Sequence, residues 1–494
     1  MERLSDNTLE ILKPIAATPD YDRSGLGIGI VHMGPGAFHR GHQAIYTEDA
    51  ITKSGGDWGI CAVSLNSDTV AKALTPQDGL YTLAIKDKAP SYRVVGVIKE
   101  ALCARLEPQK VMARLTDKAT KIVTLTITEK GYSLNAQGRL DTSNSRIAVD
   151  LKTPSEPVSA IGYLVEACRL RREAKAKPLT LISCDNLPDN GDKLKAACED
   201  FAELIDKDLA IYIAGHVRFP NTMVDSITPA TDAGVIADVA QHIGLEDASP
   251  IQREAFKQWV IEDNLPDDRP DWAEAGAIIT NDVAGFEKTK LRILNCAHST
   301  LTYLGLLAGE ESVEDAINND ALRGFVDSLI SDESIPTIDA PQGLDLDEYW
   351  SQIQARFENP HIKHLLEQIS HDGSQKIPAR IFPVILHHIK EGRIAKRACF
   401  VAGAWIAFNH KRRKAGNNPV DGYLDQIADM LPPTDSSAED YAAAFLDNQE
   451  IFPSEIAAHP EVRSAIIKSA KDIAEFGVLT ALSPIKLDLN PSGN

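Results

Sequence analysis

Missing from this chain of 494 residues is any apolar run approaching the ~20 residues that a membrane-spanning helix needs. Its opening, MERLSDNTLE, also lacks the basic-then-apolar pattern of a secretory signal. Cysteine is sparse: Cys61, Cys103, Cys168, Cys184, Cys198, Cys296 and Cys399 are scattered, odd in number and show no CxxC pairing. That pattern offers neither a disulfide framework nor a zinc site, and suits reduced thiols in a cytoplasmic protein. The adjacent His387 and His388 are not at helical ligand spacing and read as structural, so no metal is expected. Positive charge is in deficit, with 51 Lys and Arg against 71 Asp and Glu and a net charge of -20. Nucleic acid and membrane are therefore not expected partners, although a local basic pocket for a small anion is compatible with this balance. No internal repeat or low-complexity tract is visible.

What the chain does have is core-forming residues, 43% of the total, and a length that favours two domains. Apolar strand-like runs recur at 27–33, 58–63, 121–128, 179–183 and 210–214. Helical patterns lie between several of them, the clearest at 159–177. This alternation predicts an α/β unit, a mostly parallel sheet covered by helices on both faces. From about residue 286 the pattern becomes mainly α-helical, with helices expected at 312–331, 346–357, 378–391 and 436–447. The expected division is thus 1–285 and 286–494. The polar tail LNPSGN, 489–494, is expected to fray.

The run GLGIGIVHMGPGAFHRGHQAIYTEDAI reads as a buried strand, a glycine turn at Gly34 and Gly36, and a helix beginning near Phe38. Such a turn lets the backbone approach a pyrophosphate at a helix start. With the third glycine at Gly41, however, the spacing is GxGxxxxG and departs from the usual dinucleotide fingerprint. His39 and Arg40 would add a cation beside the phosphates, or are solvated residues at a helix start. After the second strand, WGICAV, Asp68 is placed to hold a ribose diol, which would favour NAD over NADP. Asp68 could equally cap a helix at 69–74, and Asn66 or Ser67 could take the ribose place.

A second motif, KLRILNCAHST, places Lys290, Asn295 and His298 inside one short apolar segment. In a regular helix of about 100° per residue, Asn295 lies roughly 140° and His298 roughly 80° around the axis from Lys290. The three can share one broad face. Leu291, Ile293, Leu294 and Leu301 would depress a lysine pKa, so that it could act as a base at an oxygen without a metal. The alternative is a surface lysine beside a core histidine. Three further clusters close strands or loops: Glu129, Lys130 and Gly131; Asp185 and Asn186; and Asn221 with Asp225. Open α/β sheets place ligands at such ends, but these residue types are also ordinary turn formers.

Together these islands resemble the mannitol dehydrogenase family of polyol-specific long-chain dehydrogenases. The resemblance runs along the whole chain, through IVHMGPGAFHRGHQAIYT, WGICAV, QDGLYT, LTITEKGY, SCDNLPDNG, FPNTMVD, FKQWVIEDN, KLRILNCAHS and DGSQKIPAR. It implies a Rossmann-type NAD domain, a mainly helical C-terminal substrate domain and metal-free hydride transfer. By the family pattern Lys290 is the general base, Asn186 and Asn295 hold the reacting oxygen, and His298 helps bind substrate. Asp225 resembles the supporting aspartate, and Glu287 the glutamate that relays the proton outward. The TEKGY wording is closer to fructuronate reductases than to the mannitol enzymes. Lys130, Lys376 and Arg380 are then candidates to hold a substrate carboxylate, as in interconversion of D-mannonate and D-fructuronate. A polyol dehydrogenase acting on mannitol or arabinitol is the alternative. An NAD-binding regulator and a sugar-phosphate dehydrogenase are two further readings. The first would have no need of the lysine–amide–imidazole set, and the second would need an extra basic cluster.

Overall fold

The computed structural model describes all residues except 88, 136, 362–363, 417–420, 428–430 and 488–494. The tail LNPSGN therefore lies outside the described residues. The chain divides into two compact units, Met1–Ala284 and Gly285–Asn494.

The first unit carries β1 (Ile28–Met33), β2 (Gly59–Ser64), β3 (Tyr81–Lys86), β4 (Ser91–Val95), β5 (Ile98–Cys103) and β6 (Ile122–Leu125). These are followed by β7 (Thr180–Ser183), β8 (Thr222–Asp225), β9 (Ile251–Glu254), β10 (Gln258–Glu262) and β11 (Ile278–Thr280). The main sheet has the order β5-β2-β1-β6-β7, and every neighbouring pair is parallel. Its central strands are buried along nearly their whole length, as expected when both faces are covered.

Side chains alternate between the two faces. Val31, Met33, Val123, Leu125 and Leu181 enter one core with Leu115, Leu164, Leu194 and Phe201. Those four come from the helices Pro108–Thr116, Ala160–Glu173 and Asn190–Ile205. Ile30, Ile60, Ile122 and Ile182 enter the opposite core, with Ile45 and Tyr46 of the helix Gln43–Ser54 and with Trp259 and Trp272. Two small three-stranded sheets, β11-β10-β8 and β4-β3-β9, complete the unit. The sequence reading did not anticipate them, because strands of three to six residues with broken patterns carry little periodicity.

One expected strand is a helix. Residues 210–214 lie within the helix Lys207–His216, where the Asp206 carboxylate accepts the Asp208 and Leu209 N–H groups. Its buried residues are Leu209, Ala210 and Ile213, a helical spacing, while Ile211 is 70% exposed. A short apolar run does not distinguish strand from helix, and here the cap decides.

Among the described residues the second unit contains helices and no strand. Its core is the helix Lys396–Lys414, buried from Arg397 to His410, as suits a helix apolar on all sides. A Cβ at Gly403 would come within 2.6 Å of the Ile466 carbonyl oxygen, so glycine permits close packing on the helix Pro460–Phe476. The helix expected at 312–331 is two, Val313–Asn318 and Asp320–Ser328, followed by a π-helical stretch, Leu329–Ser334. Asn319 divides the two, accepting the Ala321 and Leu322 N–H groups to start the second. The helix expected at 378–391 is likewise Gly373–Arg380 and Phe382–Lys390, with Pro383 in the first turn of the latter. Among the described residues no helix is long and apolar enough to cross a membrane.

Candidate functional site

In the first unit the strand order reverses between β1 and β6, the crevice where open α/β sheets take ligands. Gly34 follows β1 with φ of 91°, and a Cβ there would lie 2.1 Å from the Thr126 carbonyl oxygen. Glycine thus lets the ends of β1 and β6 close on each other. The Thr126 hydroxyl donates to the Gly34 carbonyl at 2.7 Å, and the His32 ring lies within hydrogen-bond distance of Thr124 and Thr126. A Cβ at Gly36 would meet only the Gly34 carbonyl, at 3.9 Å. That open surface before the helix Ala37–Gly41 fits the approach of a pyrophosphate.

The cations expected at this turn point elsewhere. His39 is fully enclosed and stacks on His32 with ring centroids 3.3 Å apart. Burial holds its pKa well below the usual value, so the ring is neutral. The Arg40 guanidinium donates to the Ser249 carbonyl at 2.6 Å and to the Ser249 hydroxyl at 2.8 Å. Phe38 stacks on His42. Neither His39 nor Arg40 is a solvated helix-start residue, and neither offers a free charge to a phosphate. Asp68 stands at the start of the helix Thr69–Leu74 but makes no side-chain cap bond; it pairs with Lys72 at 2.9 Å. Beside it, Arg105 donates to the Asn66 carbonyl.

The sequence reading missed a cavity of about 780 Å³ in this unit, lined by Asn66, Arg105, Met112, Pro157 and Tyr163 among others. It opens where β2 and β5 end, and its walls are mostly apolar. Residues from four separate segments build it, so no local motif announces it.

At the carboxyl ends of β6 and β7, Asp185 is the organiser. It accepts the Ile127 and Thr128 N–H groups and the Tyr132 hydroxyl at 2.7–2.9 Å. Burial raises its pKa, and those three donors oppose the rise. Lys130 and its neighbour Glu129 are exposed on the turn so formed, and Asn186 is exposed just beyond β7. Asn221 accepts the Gly191 N–H and ties that helix to β8. Asp225 ends β8 and is buried.

In the second unit Lys290, Asn295 and His298 are all more than nine-tenths buried. The helix carrying them is not regular. The α-helix Val283–Lys290 passes into a π-helical stretch, Leu291–Asn295, before α-helix resumes at Cys296–Ala308. The Cys296 N–H reaches back five residues to the Leu291 carbonyl. Such i→i+5 bonding brings residues five apart nearer in azimuth than a regular helix does. Asn295 therefore turns toward the Lys290 side rather than lying about 140° away.

The His298 ring stacks on Phe357 with centroids 4.6 Å apart and meets His364 edge-on at 5.2 Å. Its Nε2 is buried and has no hydrogen-bond partner among the described residues. Burial, then His364, Arg380, Arg356 and Lys290, holds its pKa well below the usual value. The neutral ring can accept or donate one hydrogen bond to a ligand hydroxyl. Arg380 donates to the Ser299 hydroxyl at 3.1 Å, and Lys376 to the Ile369 carbonyl at 3.0 Å. Burial lowers the pKa of both cations, and Arg380 adds to the effect on Lys376. Glu287 lies three residues before Lys290 on the same helix. His388, expected to be structural, is buried with Nε2 2.9 Å from the Glu333 carbonyl. All seven cysteines are free and buried, and among the described residues no cluster of three or more His, Cys, Asp or Glu is arranged to hold a metal.

The mannitol dehydrogenase Rossmann domain profile matches residues 28–274, and the mannitol dehydrogenase C-terminal domain profile matches residues 282–474. This chain belongs to the mannitol dehydrogenase family. Family membership makes it an oxidoreductase acting on CH–OH groups. Similar members include the uncharacterized oxidoreductase YeiQ of Escherichia coli strain K12, 41% identical over 94% of this chain and 96% of its own. The D-mannonate oxidoreductase of the same strain is 38% identical over 93% of this chain and 96% of its own. Among solved members, a Pseudomonas fluorescens mannitol 2-dehydrogenase in ternary complex with NAD and D-mannitol superposes with a TM-score of 0.84. It is 33% identical and matches over 98% of this chain and 99% of its own.

Proposed function

We propose that this mannitol dehydrogenase family member interconverts a sugar-derived secondary alcohol and its ketone using NAD, without a metal, and that its substrate is D-mannonate or D-fructuronate. When bound, NAD takes or gives the hydride; the side chains handle the proton and the charge. Neutral Lys290 removes the hydroxyl proton in oxidation, and its ammonium form protonates the developing alkoxide in reduction. Asn295 and Asn186 are assigned as amide donors to that oxygen, stabilising its charge as a Lewis acid otherwise would. His298 contacts a neighbouring hydroxyl, Glu287 passes the proton outward and Asp225 supports the site. Cofactor binding is assigned to Gly34, Gly36, Phe38 and Asp68. His39 and Arg40 support the β1 turn from inside.

The observation that carries the carboxylate reading is Arg380. Its guanidinium donates to Ser299, the residue next to His298, and lies among other cations that act on the same imidazole. A bidentate arginine suits a carboxylate better than a hydroxyl. The similarity to D-mannonate oxidoreductase supports the same reading. Lys376 and the exposed Lys130 are weaker candidates, the former because its ammonium already serves the Ile369 carbonyl. A polyol substrate is the second reading, favoured by the likeness to mannitol 2-dehydrogenase. NADH oxidation with D-fructuronate, D-tagaturonate and D-fructose side by side, with chelator present, tests both. Preference for fructuronate supports the proposal, and preference for fructose overturns it in favour of the polyol.

A further inference from the structure

The π-helical stretch between Lys290 and Asn295 is held from outside by four linked hydrogen bonds. The Ser334 hydroxyl donates to the Arg292 carbonyl at 2.6 Å. Arg292, in turn, donates through Nη1 to the Thr337 carbonyl and, at 2.7 Å, to the Thr337 hydroxyl. That hydroxyl donates back to the Ser334 carbonyl at 2.7 Å, closing a ring. A π turn displaces carbonyls from the regular ladder, and a buried carbonyl needs a donor. Ser334 supplies one to the second residue of the irregular stretch. Both Ser334 and Thr337 are buried.

The brace is anchored in turn. Ser334 ends the second π-helical stretch, Leu329–Ser334. Next to it, the Glu333 carboxylate accepts the Arg397 and Ala398 N–H groups at 2.9 Å, at the start of the buried helix Lys396–Lys414. The Glu333 carbonyl is 2.9 Å from His388 Nε2. A continuous path thus runs from the core helix through Glu333 and Ser334 to Arg292, which lies in the chain between Lys290 and Asn295.

We infer that Ser334 and Thr337 are positioning residues that hold the π turn in place, so that Lys290 and Asn295 address one oxygen. Without the brace the stretch relaxes toward regular α-helix, and the amide rotates away from the ammonium. This rests on the reading of Lys290 as the general acid/base. A displacement of about 1 Å at a reacting pair costs up to roughly a hundredfold in rate, while binding of cofactor and substrate chain is made elsewhere.

The test is a kinetic series of Ser334→Ala, Ser334→Thr, Thr337→Val and Lys290→Met in the full chain. Ser334→Ala is expected to lower kcat about tenfold, leave both KM values within about twofold and move the pH profile of kcat. Ser334→Thr, which keeps the hydroxyl, should restore kcat and profile. Thr337→Val, which keeps the volume, should give a smaller loss of the same kind and covers the case in which Ser334→Ala fails to fold. Wild-type kcat and pH profile in both Ser334→Ala and Thr337→Val would overturn the inference, as would a loss that Ser334→Thr does not recover. Turnover surviving Lys290→Met would instead remove the reading of Lys290. Turnover abolished by Lys290→Met but indifferent to the brace variants would remove the brace alone.

Discussion

His32 makes the β1 turn sensitive to acid. Its ring is fully enclosed, and burial pulls its pKa down to about 3 from 6.5. In the folded chain it stays neutral at pH 5, whereas in the unfolded chain it takes up a proton. A histidine with a depressed folded pKa contributes its full stability above pH 6.5 and loses it progressively as pH falls toward 3. At pH 5 the loss is 1.5 pH units at 1.36 kcal/mol each, about 2 kcal/mol. His32→Asn cannot titrate, so the difference in pH dependence between wild type and variant isolates this contribution. The assay is hydrogen exchange of the Ile28–Met33 amides at pH 7 and pH 5, read by mass spectrometry and corrected for intrinsic rates. The wild type should lose about 2 kcal/mol more opening free energy than His32→Asn on acidification. Equal losses would refute a neutral, desolvated His32. His42, also buried and held to about 3, adds the same dependence to both proteins and cancels. His39 stacks on His32 and is depressed in part by it, so the comparison is repeated with His39→Asn in both proteins and the same difference is expected.

Arg380→Ala should raise KM for a keto-uronate by roughly ten- to hundredfold, from the ~1.5–3 kcal/mol of a charge-assisted hydrogen bond, and leave KM for fructose nearly unchanged. An unchanged KM for fructuronate would refute the carboxylate role. Gly34→Ala forces a side chain to φ of 91° against the Thr126 carbonyl. It should cost of order 1–3 kcal/mol in a thermal melt and weaken NADH binding followed by fluorescence; wild-type values for both would refute the close approach. Asp68→Ala should shift preference toward NADPH about tenfold by removing a negative charge from the ribose. An unchanged ratio would return Asp68 to its pairing with Lys72.

What was legible in the sequence was what short-range pattern encodes. The β1 run, its glycine turn and the Lys290–Asn295–His298 spacing are local, and the paired helical and α/β halves follow from periodicity. Contacts made over long separations were not legible. Arg40 looks like a phosphate ligand until Ser249, more than two hundred residues away, takes its guanidinium. His39 looks like a cation until the His32 ring closes over it. The cavity beside Asn66 draws on four segments and leaves no mark in any one. The π turn was invisible because LRILN reads as ordinary helix, and the hydroxyl that accommodates it comes from Ser334.

The two substrate readings differ in charge more than in shape, and the surroundings of Arg380 bear on that difference. Its pKa is lowered by burial, and the groups that offset this are Tyr303 and Cys296. Burial raises the pKa of both, the Cys296 thiol to about 12, so neither is an anion near neutrality. Lys376 is compensated differently, with Asp372 and Asp421 acting on it. Among the described residues, Arg380 thus has a hydroxyl for a hydrogen-bond partner and no carboxylate acting on its charge. Desolvating a cation without a counter-charge costs free energy. A chain carrying a net charge of -20 has carboxylates to spare for pairing it. On the proposed carboxylate reading, the counter-charge arrives with the ligand. A substrate carboxylate supplies both the charge and a planar acceptor for the guanidinium, whereas a polyol hydroxyl supplies a hydrogen bond and leaves the charge uncompensated.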